Sequence, residues 1–297
     1  MDGGNFLRQY DIICKIFRKS GDRKQMQETT RDNKRQLILN EYISREKKKY
    51  TSVSFSVKYK IATFLKNILH KIGLYDFIRK SADKIHWWKS HKKDFNYNWG
   101  VNVKDGVYFY QSFPSLDIKG GRQTDVRIET YRLYDFLDKS MNVLDIGCNC
   151  GFFDMTIADH VKSVTGVEYD KDYVEFANRA AEILELDNVK FFQGDFNEWI
   201  KVHNEKYNVI FAFAIHHWLN LSADEFAQIL SGIIEQDGYL VFESHAMSQK
   251  EGKGFWDYCD ALKNHGFSED YRGTIEGDEN TGRCWIVFRK NNNNSPA

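Results

Sequence analysis

The sequence has no apolar run near the ~20 residues that a membrane-spanning helix needs. Its first ten residues hold no apolar signal core, which argues against a secretory leader. Cysteine is scarce and unpaired in pattern. Cys14, Cys148, Cys150, Cys259 and Cys284 form an odd, scattered set, expected to be reduced thiols of a cytoplasmic protein rather than a disulfide framework. The Cys148-x-Cys150 pair sits in a glycine turn and has no second pair, so no metal site is read from it. Net charge is also absent, but only as a sum. Residues 1–104 hold 24 of the 42 Lys and Arg and 10 of the 42 Asp and Glu, leaving 18 and 32 for residues 105–297. A segment near +14 therefore precedes one near −14, an asymmetry that suits an anionic partner or docking of one part on the other.

Within the basic segment, residues 57–80 carry Ile61, Phe64, Leu65, Ile68, Leu69 and Ile72 at helical spacing, among lysines. This reads as a basic amphipathic helix, able to lie on an anionic membrane surface or to dock on the following domain. Trp87, Trp88, Tyr97 and Trp99 follow, a set that suits a membrane interface, a sugar platform or an interdomain contact. The tail 291–297 reads as disordered. From about residue 141 the pattern changes. Apolar β-rich runs at 143–146, 163–168, 189–193, 207–214 and 239–243 alternate with helical periods at 152–161, 173–186, 223–235 and 254–265. Runs at 267–274 and 283–290 close the chain as a hairpin. The expected fold class is α/β, a Rossmann-like, mostly parallel seven-stranded sheet with a C-terminal antiparallel hairpin, spanning 105–290 behind a basic helical segment at 1–104. Ligands of such sheets sit beyond the carboxyl ends of the strands.

Three of those strand ends carry the same kind of chemistry. The first runs Val143-Leu144-Asp145-Ile146-Gly147-Cys148-Asn149-Cys150-Gly151, a turn that lets a ligand approach the backbone. The second ends in Glu168, a carboxylate able to accept from both hydroxyls of a ribose. The third ends in Gly194-Asp195-Phe196, an acid for an adenine amino group beside an aromatic ring. Glu168 and Asp145 acting as simple helix caps is the structural alternative, and the turn lacks the G-x-G-x-x-G spacing of a nicotinamide site. Taken in order, the stretch from Val143 to about Glu243 resembles the class I S-adenosylmethionine-dependent methyltransferase superfamily. The resemblance implies S-adenosylmethionine as cofactor, with Asp145, Gly147 and Gly151 shaping the methionine pocket. It also implies Glu168 at the ribose, Tyr169 beside the adenine, and Asp195 with Phe196 at the adenine edge. Asn149 stands where the family has its middle glycine and tolerates the left-handed backbone that the turn needs. The lead-in, with Gln111, Arg122 and Arg127, resembles the element that often covers the cofactor. Arg127 or Arg122 would then pair with the methionine carboxylate.

The fourth strand runs into Ile215-His216-His217-Trp218, where the superfamily faces the transferred methyl. The [D/N]-P-P-[Y/F] pattern of nucleic-acid amino methylation and the Pro-Cys of cytosine C5 methylation are both absent. His216 or His217, with His245 after the fifth strand, is the expected proton acceptor, because a hydroxyl attacks poorly until its proton leaves. Each of these histidines also has a plain reading as a packed or surface residue, and no metal is assigned to them or to Glu243. The expected reaction is O-methylation of a saccharide or other small polar acceptor, with the basic arm holding the protein at the inner membrane surface. The alternative acceptor is RNA, the arm then serving as a phosphate-binding footprint. A further alternative is a non-catalytic binding protein on this scaffold.

Overall fold

The computed structural model describes residues 30–41 and 109–291. The basic amphipathic stretch 57–80, the aromatic set from Trp87 to Trp99 and the tail 292–297 lie outside the described residues. The chain divides into two compact units. The described part of the smaller comprises residues 30–41, 109–110 and 114–121; the larger comprises 111–113 and 122 onward. In the smaller unit helix α1 (residues 30–41) buries Ile38, and Arg35 pairs with Asp117 at 3.4 Å. The strands β1 (Phe109–Gln111) and β2 (Gly120–Arg122) form a short two-stranded sheet, and α2 (Thr124–Thr130) follows.

The larger unit is built on seven strands: β3 (Asn142–Ile146), β4 (Ser163–Glu168), β5 (Val189–Gln193), β6 (Tyr207–Phe213), β7 (Ile234–Ala246), β8 (Phe267–Ile275) and β9 (Arg283–Lys290). Their order is β5-β4-β3-β6-β7-β9-β8. The first five run parallel, and β9 pairs antiparallel with both β7 and β8. This is the Rossmann-like sheet with an antiparallel C-terminal hairpin that the alternation implied. Central strands covered on both faces need apolar residues at successive positions. Val143, Leu144 and Ile146 of β3, and Val209 to Ala212 of β6, are accordingly buried. Helices α3 (Phe152–Ile157), α4 (Lys171–Leu184), α5 (Phe196–Val202), α6 (Ala223–Ile233) and α7 (Phe255–Asn264) connect the strands. The core behind β6 and β7 gathers Phe226, Leu230, Phe242, Phe255, Leu262 and Ile286.

The chain leaves β3 toward β4 and β5, then returns to the other side of β3 for β6 and β7. The direction of winding thus reverses between β3 and β6, the place at the carboxyl edge where sheets of this kind bind their ligands. Several boundaries differ from the sequence reading. The helix expected at 152–161 stops at Ile157 and continues as a 3-10 turn, Ala158–His160. Helix α2 ends at Thr130, because Arg132 takes φ 53°. Strand β7 begins at Ile234 rather than 239, its register broken opposite β6 between Tyr207 and Val209. Among the described residues no helix is long and apolar enough to cross a membrane.

Candidate active site

The turn after β3 uses three left-handed residues in a row of five: Gly147 (φ 81°), Asn149 (φ 54°) and Gly151 (φ 69°). A side chain at Gly147 would meet Ile215 Cδ1 at 2.7 Å, and one at Gly151 would meet the Phe191 ring at 2.3 Å. Both glycines therefore answer to space as well as to backbone angle. The turn is tied to the next strand by Glu168. Its Oε2 accepts from the Asn149 backbone N–H at 3.0 Å and its Oε1 from that of Asp170 at 2.9 Å. Each carboxylate oxygen keeps a further lone pair, so two hydroxyls can still be received. Burial raises the Glu168 carboxyl, while the backbone N–H groups of Asp170 and Asn149 pull it back.

Beneath the turn, Asp145 is 2% exposed and Asp154, on α3, is fully buried. No donor among the described residues reaches Asp145 Oδ1 or either oxygen of Asp154. Burial pushes Asp145 up to about 7, against the opposing influence of Asp154 and the Arg127 charge. Burial and the Asp145 charge raise Asp154 as well. Asp154 escaped the sequence reading because one carboxylate inside an apolar helix, Phe152-Phe153-Asp154-Met155, looks like a surface position. Gln111 is buried too, with its Oε1 unbonded. Hydrogen bonds from Thr124 N to Ser112 Oγ (2.9 Å) and from Thr124 Oγ1 to Ser112 O (2.6 Å) fix the segment beside it. Buried acceptors without donors, beside a glycine cradle, fit a ligand that brings an ammonium and hydroxyl groups.

Tyr169 is 74% exposed at the end of β4, open to a flat ligand. Asp195 is exposed; its Oδ1 accepts from Asn197 N at 2.8 Å and so caps α5. Phe196 was expected beside the adenine, yet its ring is packed in the core near Trp199. Arg127 was expected at a carboxylate of the cofactor. In the structure its Nη2 donates to Glu243 Oε2 at 2.9 Å and its Nε to Tyr131 Oη at 3.0 Å, with the guanidinium 4.7 Å over the Phe213 ring. Glu243 also accepts from Tyr131 Oη and from Arg283 Nη1, the latter at 2.9 Å. Burial alone would raise Glu243; the Arg127 and Arg283 charges outweigh it and hold the carboxyl below its ordinary value. With both oxygens committed, Glu243 has no place for a metal, and Arg122 pairs with Glu276.

The three histidines are sorted by the fold. His216 is 2% exposed among Phe242, Phe255 and Tyr258, and burial pushes it down to about 4, helped by His217. His217 is exposed, edge-on to Trp218. His245, on β7, accepts at Nε2 from Trp218 Nε1–H at 3.0 Å. Burial, with the Arg283 and His216 charges, lowers it to about 4.

A methyltransferase-domain family model matches residues 137–279. The chain is 30% identical over 130 residues to a 23S rRNA (uracil(1939)-C(5))-methyltransferase of Colwellia psychrerythraea, covering 34% of this chain and 27% of that protein. It is 34% identical over 109 residues to the release factor glutamine methyltransferase of Aliivibrio fischeri, covering 34% of this chain and 38% of that protein. A solved S-adenosylmethionine-dependent methyltransferase from Aquifex aeolicus superposes with a TM-score of 0.46 at 17% identity, over 55% of this chain and 88% of that one. The chain spans about a quarter of the length of the rRNA methyltransferases it matches. Glycine turn, Glu168 and parallel sheet thus belong to a methyltransferase domain with a Rossmann-like fold. Residues 137–279 are similar to a methyltransferase domain, in keeping with the resemblance of this stretch to the class I S-adenosylmethionine-dependent methyltransferase superfamily, whose cofactor is S-adenosylmethionine.

Proposed function

We propose that the chain is an enzyme that methylates RNA at an oxygen or nitrogen atom, using the edge of β3, β4 and β5 for the cofactor and that of β6 and β7 for the acceptor. The reading of the cofactor side rests on Glu168 bridging the turn and the second strand with lone pairs to spare. Glu168 takes the ribose, Asp145 with Gln111 takes the methionine end, and Tyr169 and Asp195 flank the adenine. Bound there, the cofactor supplies an electrophilic methyl on a positively charged sulfur. The chain's own task is then alignment, plus removal of one proton.

RNA as acceptor draws its support from the curated relatives, several of which are named as rRNA or RNA methyltransferases. It also accounts for the basic character of residues 1–104, since phosphate contacts need a surplus of Lys and Arg. The acceptor atom is argued from chemistry. A carbon such as C5 of uracil becomes nucleophilic only after a thiolate adds to its neighbour. Among the described residues the cysteines, Cys148, Cys150, Cys259 and Cys284, are all buried, and burial raises the thiols of Cys148, Cys259 and Cys284; Cys14 lies outside the described residues. A heteroatom needs no such addition. His245 is the proton acceptor in this reading, rather than the His216 or His217 expected from the sequence. His216 is sealed among rings, and His217 points into solvent.

The test uses isotopically labelled S-adenosylmethionine and total cellular RNA, followed by digestion to nucleosides and mass spectrometry. Label in an O- or N-methylated nucleoside, abolished by prior ribonuclease treatment, is the expected outcome. Label at C5 of a pyrimidine would overturn the heteroatom assignment. Label in a glycan fraction would select O-methylation of a saccharide instead, a reading favoured by the exposed Trp218, on whose face a sugar ring also packs.

A further inference from the structure

Trp218 is 65% exposed, unusual for the largest apolar side chain. It lies in the 3-10 turn His216–Trp218, directly beyond the carboxyl end of β6. His245 lies near the end of the neighbouring strand, two residues past the Phe213–Glu243 pairing. An indole N–H can only donate, so the 3.0 Å contact makes His245 Nε2 the accepting nitrogen. The imidazole proton must then be on Nδ1. The Ala214 backbone partly offsets the fall in basicity.

We propose that Trp218 and His245 work as one unit, the indole face receiving a planar ring of the acceptor while the indole N–H reserves His245 Nε2, proton-free, for the acceptor's own proton. The inference rests on the proposed methyl transfer and adds the residue that positions the acceptor. When an acceptor O–H or N–H displaces the indole N–H, it inherits a hydrogen bond to a nitrogen already in the receptive tautomer. The acceptor atom then bonds to the methyl carbon, the carbon–sulfur electron pair returns to sulfur, and the proton passes to Nε2. No further reactant is required. The groups around His245 keep it neutral beforehand. Arg283 on β9 and His216 on the turn oppose its protonation, and Glu251 in the turn after β7 favours it weakly. Trp218 thus positions the acceptor's ring, and His245 is the group that takes its proton.

Two variants separate platform from lock. Trp218→Phe keeps an aromatic face and removes the N–H. The bond it removes stabilises the neutral imidazole, so His245 should become more basic, and the acid limb of the kcat/KM profile should move to higher pH. Trp218→Ala removes the face as well and should raise KM for RNA by roughly five- to a hundredfold, the usual worth of stacking one base, with affinity for S-adenosylmethionine unchanged. Nitrogen-15 NMR of the histidine-labelled protein, without acceptor, should show His245 protonated at Nδ1 and bare at Nε2, titrating near 4 in the wild type and higher in Trp218→Phe. A proton on Nε2, or the same titration in both proteins, would overturn the inference. So would an unchanged KM in Trp218→Ala. Because the NMR arm needs no acceptor, failure to label RNA would defeat the RNA assignment without touching the tautomer result.

Discussion

The two halves of the sheet's carboxyl edge are finished in opposite ways. Around β3 and α3, Asp145 Oδ1, both oxygens of Asp154 and Gln111 Oε1 are buried without donors among the described residues, whereas the orphans on the β6–β7 side are ring and guanidinium nitrogens of His216, Arg283 and Trp285 rather than oxygens. Around β6 and β7, Glu243 is saturated by Arg127, Arg283 and Tyr131, and His245 is held by Trp218. An unpaired buried acceptor destabilises a fold by about 1–3 kcal/mol. A concentration of such acceptors in one half is explained by a ligand that brings the missing donors. The other half is a pre-built wall, in which a single hydrogen bond must be exchanged to admit an acceptor. The comparison also accounts for the fate of Arg127. Its charge influences Asp145, but its hydrogen bonds hold the wall together.

The largest effect is expected on the saturated side. Glu243→Ala would leave the Arg127 guanidinium buried without its counter-charge and Arg283 with only Glu276, at 3.6 Å. Loss of one member of such a buried set destabilises by about 3–5 kcal/mol. Denaturant unfolding should show it, and a loss below about 1 kcal/mol would mean that the cluster is solvated and that the contrast between the halves is false. The unsaturated side should respond in affinity instead. Glu168→Ala removes the proposed acceptor for two ribose hydroxyls and should weaken S-adenosylmethionine binding by about 1.5–3 kcal/mol, or roughly ten- to a hundredfold. An unaltered affinity would take the ribose away from β4.

The turn and strand ends of the proposed cofactor half were legible in the sequence, because their signals are local. Gly147, Asn149 and Gly151 stand within five residues, Glu168 closes β4 and Asp195 follows β5 by two residues, and the apolar runs gave the bounds of both strands directly. Helix α5 was missed although Asp195 announces it as an N-cap, since that residue had been assigned to the adenine alone. The acceptor half resisted for a physical reason. Glu243 meets Arg127 across 116 residues of chain and Arg283 across 40, and no spacing rule reaches that far. The adjacent His216 and His217 looked equivalent, but the 3-10 turn sends one ring into the Phe242–Phe255–Tyr258 cluster and the other outward. The early start of β7 was hidden by Glu235-Gln236-Asp237, a polar run without alternation.

The cofactor edge as an unsaturated acceptor site is tested most directly by calorimetric titration of the unmodified chain with S-adenosylmethionine between pH 8 and pH 6. Asp145 is raised to about 7 by burial, and a cofactor ammonium favours its ionised form. Binding must therefore expel a proton wherever the carboxyl starts protonated, and affinity should fall as pH drops through about 7. The limit for one coupled proton is about tenfold per pH unit. The account predicts one cofactor per chain at pH 8, with roughly tenfold weaker binding and measurable proton release at pH 6. Absence of binding, or binding with no proton release and no pH dependence, would contradict it.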